Sequence, residues 1–169
     1  MNRRGFTIVE LLIIIAVLGV LLTLGVVNLR GTQASARDEE RRTDVESIAL
    51  HLETFYKSGS DQYPSGSYPP TVLMSSDEET VRTVLRDINS DSLRTPGVQS
   101  PDISLIPATS NTENPESITP YPSISEYVYQ PLQANGNLCT LVASVCRKFN
   151  IYYFLETDET VQVMESKNR

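Results

Sequence analysis

Apolar residues run almost unbroken from Phe6 to Leu29, and Glu10 is the one charge among those 24 positions. As a helix rising about 1.5 Å per residue, the stretch is about 36 Å long. That is enough to cross a hydrocarbon core of roughly 30 Å. Beyond it the apolar positions become periodic. Val45, Ile48, Leu52 and Phe55 recur at spacings of three and four, flanked by Ala49 and Tyr56, with no Pro or Gly across 34–56. This pattern predicts an amphipathic helix with one covered face. Joined end to end, the two segments give one helix over 6–57, about 78 Å long. Such a length suits a stalk whose outer half is covered by a head. The mixed charges from Arg37 to Glu46 read as the solvated stretch between bilayer and head.

After Lys57 the pattern breaks. "SGSDQYPSGSYPP" is turn-rich and stops the helix with glycine and proline. "SSDEETVRTVLRDINS" predicts a short helix, with Ser76 as N-cap, Glu79 as its capping-box partner, and Val81, Val84, Leu85 and Ile88 on one face. Residues 95–125 are rich in Pro, Ser, Thr and Asn, lack periodicity, and read as a long surface loop. The last third is rich in β-branched and aromatic residues over 126–132, 147–156 and 160–166, with Thr157-Asp158-Glu159 as a hairpin turn. The expected fold is α+β: a long N-terminal helix, half transmembrane and half amphipathic, packed against a small C-terminal antiparallel sheet.

Charge narrows the function. The net charge is −7, and residues 1–57 balance seven basic against seven acidic side chains, so the excess lies wholly in 58–169. Nucleic acid is not indicated as a partner, since binding phosphates needs clustered Lys and Arg. A catalytic constellation is also missing. The single histidine, His51, flanks the helix stripe as a surface residue, and no nucleophile elbow or phosphate loop occurs. Asp87-x-Asn89-x-Asp91 imitates the start of a calcium loop, but Ser92 stands at the sixth place and Val98 at the twelfth. Catalytic residues, metal ligands and cofactors are therefore expected to be none.

Three readings of the N-terminus compete. A cleaved secretory signal would need a shorter apolar region, although Ala34-Ser35-Ala36 offers a cleavage pattern. A plain signal anchor would leave Glu10 as a residue of the cytoplasmic interface, pointing to headgroups. The third reading uses more residues. Gly5-Phe6-Thr7-Ile8-Val9-Glu10, after Arg3-Arg4 and before Leu11-Leu12, resembles the class III signal of type IV pilins and pseudopilins. So does the run Arg41-x-x-Asp44-x-x-x-Ile48, Leu52-x-x-Phe55-Tyr56, then Tyr63-Pro64. Gly19 and Asn28 fall where family members carry Gly and Pro-Asn, though Val27 replaces the proline.

The resemblance implies a pilin fold and a division into a leader (1–5), an assembly helix (6–29), its amphipathic continuation (30–57) and an extracytoplasmic head (58–169). A prepilin peptidase would cut between Gly5 and Phe6, and Phe6 would be N-methylated. Glu10 would pair with the amino terminus of a neighbouring subunit. Two opposite charges 4 Å apart at an effective dielectric near 20 attract by roughly 4 kcal/mol. Partners implied are other pilin subunits, the peptidase and an inner-membrane assembly platform. The precursor would be a single-pass protein of the cytoplasmic membrane and the product a surface filament serving adhesion, motility or DNA uptake. A type II secretion pseudopilin and a membrane-anchored binding module remain open. Cys139 and Cys146, the two cysteines, lie outside the membrane segment and are too few for a metal site. A bridge near the C-terminus is common in pilins, and closing this loop would contribute about 2.5 kcal/mol on the chain-entropy model.

Overall fold

A computed structural model describes residues 7–59, 63–74, 78–99 and 103–168. Helix α1 spans Ile8–Ser58 and continues through Gly25 and Val27 without a break. Thr7 caps its start, and the last turn closes when the Gly59 N–H donates to Phe55 O at 2.7 Å. Gly59 has φ 65°, and a Cβ there would stand 2.7 Å from Ser65 N, so only glycine fits this stop.

Val45, Ile48, Leu52 and Phe55 are buried, as the periodicity predicts, with Ala49 and Tyr56 packed beside them. They face a four-stranded sheet in the order β1 (Leu105–Pro107), β2 (Tyr127–Leu132), β3 (Lys148–Leu155), β4 (Thr160–Glu165). Tyr127 and Tyr129 of β2 join Phe149, Ile151, Tyr153 and Leu155 of β3 on the helix side, with the period of two that a pleated strand imposes. The β3–β4 hairpin turns through Thr157-Asp158-Glu159, where Glu159 takes φ 52°.

Two expectations are corrected here. The sheet is mixed, because β1 runs parallel to β2 in the register Leu105↔Tyr127 to Pro107↔Tyr129. A parallel neighbour needs a long crossover, and the connection from 108 to 126 supplies one. The stretch 95–125 is therefore more than a surface loop. Its first part forms β1, and Ala108 and Ile118 then pack on Val128 and Tyr152, covering the sheet face turned away from α1. The Gln130 amide fastens that cover, donating to Ser110 O at 3.0 Å and Thr112 O at 2.7 Å.

The short helix α3 is Glu78–Val84, with Val81, Val84 and Leu85 buried, while Ser76 lies outside the described residues. A one-turn helix α2 (Thr71–Met74) and a 3-10 turn (Ser90–Leu93) complete the head. Residues 8–24 and 29–33 of α1 are exposed, and the apolar half of the helix is long and apolar enough to cross a membrane.

Candidate assembly surface

The exposed half of α1 presents Ile8 to Leu24 as an apolar cylinder with one carboxylate, Glu10. Gly5 and Phe6 lie outside the described residues, so the expected cleavage point has no geometry here. Glu10 does. It forms a capping box with Thr7: the Thr7 N–H and hydroxyl both donate to Glu10 Oε2 at 2.9 Å, and the Glu10 N–H donates to Thr7 Oγ1 at 3.2 Å. A carboxylate at a helix N-terminus also opposes the positive end of the peptide dipoles. The sequence reading missed this role, although Thr-x-x-Glu before an apolar run is its recognised pattern.

Further along α1, polar side chains expected to be solvated are buried in the head. Asp38 is the first. It accepts hydrogen bonds from the backbone N–H groups of Glu156 and Thr157 at 2.8 and 2.9 Å, and from the Thr157 hydroxyl at 2.7 Å. Arg41, 1% exposed, donates to Asp38 at 2.9 Å and also to Glu156 and to Ile124 O. Arg37 completes a fork onto Glu156 at 2.9 and 2.6 Å. Burial raises the Asp38 pKa, but the hydrogen bonds from Glu156 and Thr157, with the charge of Arg41, outweigh it and hold the carboxyl below its usual range. The Glu156 carboxyl is also held low, first by the Arg37 hydrogen bond and then, against burial, by Arg41.

Two more helix carboxylates reach the head. Asp44 accepts from the Tyr127 hydroxyl at 3.3 Å, and burial pushes its pKa up to about 6 despite hydrogen bonds from Ser92 and Tyr127. Glu53 clasps the C-terminal tail: it accepts from the Tyr68 hydroxyl at 2.9 Å, the Lys167 N–H at 2.8 Å and the Asn168 amide at 2.9 Å. Burial, ahead of the Glu53 charge, raises the Tyr68 phenol to about 12.

Cys139 and Cys146 are joined by a disulfide, with Cα atoms 5.8 Å apart. Asn89 spends its side chain accepting from the Asp91 N–H as the cap of the 3-10 turn. His51 Nδ1 stands 2.8 Å from Ser47 O within its own helix. Among the described residues no three His, Cys, Asp or Glu side chains gather as a metal site.

A family model described as the prokaryotic N-terminal methylation motif matches residues 1–26. The chain is 38% identical over 64 residues to a type II secretion system core protein G of Pectobacterium carotovorum, covering 38% of this chain and 40% of the relative. It is 33% identical over 64 residues to the Escherichia coli protein of the same name, covering 38% of this chain and 43% of that one. It is also 32% identical over 62 residues to the type IV major pilin protein PilA of Myxococcus xanthus, covering 37% of this chain and 28% of the relative. The matches thus span less than half of those relatives' length. No solved structure matches.

Proposed function

We propose that this chain, whose first 26 residues match the N-terminal methylation motif and which is similar to a type II secretion core protein G and a type IV pilin, is a structural subunit of a type IV pilus-like filament. The observation that carries the reading is the methylation motif running into a helix whose apolar half is exposed over its whole circumference. An exposed apolar cylinder of this length needs lipid or other copies of itself as surroundings. The precursor would be anchored in the membrane by this helix and cut between Gly5 and Phe6, freeing an α-amino group four residues before Glu10. In the single subunit Thr7 supplies hydrogen bonds to Glu10 Oε2. On docking, we assign Oε1 to the amino group of a neighbour's Phe6.

The test compares Glu10→Ala with Glu10→Gln. The glutamine retains an acceptor for Thr7 but removes the charge, separating helix capping from subunit pairing. Both variants should enter the membrane and be cleaved, because removing a charge eases insertion. Both should then give a reduced ratio of sheared filament to membrane-held mature subunit, since an unpaired buried ammonium costs several kcal/mol. A wild-type ratio in Glu10→Gln would reject the pairing. Mass spectrometry of the mature chain should find Phe6 first, carrying one extra methyl group. Gly5→Val should remain full length.

The matches to type II secretion core protein G favour a second reading, a pseudopilin in a secretion machine. Deleting the gene separates the two. Loss of surface filaments with normal export of secreted enzymes supports the pilus, and the reverse supports the pseudopilus.

A further inference from the structure

A cleft of about 710 Å³ opens at the end of the head farthest from the apolar half of α1. The last turns of α1, the start of β3, the end of β4 and the chain's tail meet the 108–126 connection there. Its volume lies within the roughly 300–1,000 Å³ of small-molecule sites. The polar side chains that line it are each fixed at one atom and uncommitted at another. Asn150, 5% exposed, gives its amide N–H groups to Gln130 Oε1 at 3.0 Å and Tyr152 Oη at 3.2 Å, and no described residue donates to its Oδ1. Asn168 spends its amide on Glu53 Oε2 and Tyr68 Oη, both at 2.9 Å, and its Oδ1 likewise has no donor among the described residues. The Tyr56 hydroxyl accepts from Arg147 Nη1 at 3.3 Å and keeps its own proton to give. Arg147 Nη1 also meets Gly66 O at 3.2 Å, which anchors the guanidinium and leaves Nε and Nη2 without an acceptor among the described residues.

Charge sorts the classes of ligand. The described lining holds two cations, Arg147 and Lys148, and two carboxylates, Glu113 and Glu165, with Lys148 closed onto Glu113 at 2.8 Å. These charges cancel, so neither an anion nor a cation meets an excess of opposite charge to offset its desolvation. An apolar ligand would strand the amide oxygens without water or a donor. A sugar fits what is left, because each of its hydroxyls both donates and accepts. The Tyr56 ring packs on Tyr68 with centroids 4.5 Å apart, which fixes an apolar wall for the C–H face of a pyranose.

We infer that this cleft binds a neutral oligosaccharide, with Tyr56 and Arg147 donating to its hydroxyls and Asn150 and Asn168 accepting from them. The inference goes beyond the filament reading and does not depend on it, since the cleft lies wholly within the head.

The test is made on the full-length chain in a detergent without a sugar headgroup. The probes are maltose, lactose, cellobiose and N,N′-diacetylchitobiose, with inorganic phosphate as the anionic control. Saturation-transfer NMR should show transfer to at least one of the disaccharides, and titration with that sugar should saturate. Tyr56→Phe, which keeps the ring, and Arg147→Ala should each weaken its binding by about fivefold, the loss expected for one hydrogen bond. Leu141→Ser, exposed and outside the cleft, should leave the affinity unchanged. The methyl glycoside of the bound sugar separates two sources: retained binding points to a glycan attached at its reducing end, and lost binding to a free sugar. Transfer to none of the disaccharides, wild-type affinity in both Tyr56→Phe and Arg147→Ala, or tighter binding of phosphate than of any sugar would overturn the assignment. Thermal midpoints of the two variants near the wild-type value exclude loss of folding as the cause.

Discussion

Asp44 illustrates how one side chain couples the helix to pH. Its carboxyl sits at the seam with Tyr127, with Glu40 and Asp91 nearby, and titrates near 6 rather than at 3.8. Because the folded value is raised, the folded head holds this proton between those two pH values while the unfolded chain has released it. Stability from this residue therefore falls as pH rises from about 4 to about 6 and is level above, by at most about 3 kcal/mol. Asp44→Asn should remove that slope. Thermal midpoints of the two proteins, measured from pH 4 to 7, should converge at the acid end, with the wild type losing ground as pH rises. Parallel curves would show that Asp44 titrates normally. Gly59 sets a second limit at this scale. Gly59→Ala places a Cβ against the backbone of Tyr63 and Ser65 at φ 65°, and should destabilise the head by more than about 1 kcal/mol in urea unfolding.

At the scale of elements, the β3–β4 turn is fixed by one helix carboxylate. Asp38→Ala would leave Arg41 buried beside Glu156 and would deprive two amides and a hydroxyl of their acceptor. The expected cost is about 3–5 kcal/mol, the range for removing one member of a buried ion pair. Amide hydrogen exchange should show protection lost at Glu156 and Thr157, with β2 still protected. Replacing Cys139 and Cys146 by serine should cost about 2–5 kcal/mol, as for native bridges in small secreted domains. The helix, its apolar stripe, the three longer strands and the hairpin turn were legible, because periodicity and β-branched composition state them directly. The ties were not read, yet their signal was present. Positions 38, 41, 45, 48, 52 and 55 are spaced by alternating threes and fours, so Asp38 and Arg41 prolong the buried stripe. A polar residue in such a stripe looks like its end when burial is judged by hydrophobicity alone. Strand β1, three residues among prolines and serines, carries no local pattern. It exists because β2 offers an edge and a long connection lets the chain reach it.

The whole molecule divides cleanly by environment. Among the described residues, the apolar half of α1 makes no packing contribution to the head, which builds its core from Val45 onward. A chain lacking residues 1–29 should therefore be soluble and monomeric by gel filtration. Its thermal midpoint in buffer should equal that of the detergent-held full chain. A large drop in midpoint would mean that the membrane segment supports the head.

The three carboxylate ties also have a mechanical meaning. Asp38, Asp44 and Glu53 fasten the head to one rod at successive levels, to the hairpin turn, the central strand and the chain's end. In the filament proposed above, consider a pull directed along the rod. The seam between rod and head is then loaded in shear, so the three fasteners and the apolar stripe between them share the load at once. A peeling load would reach them one after another and open the weakest first. The head thus rides on its rod in the orientation that best resists detachment under tension.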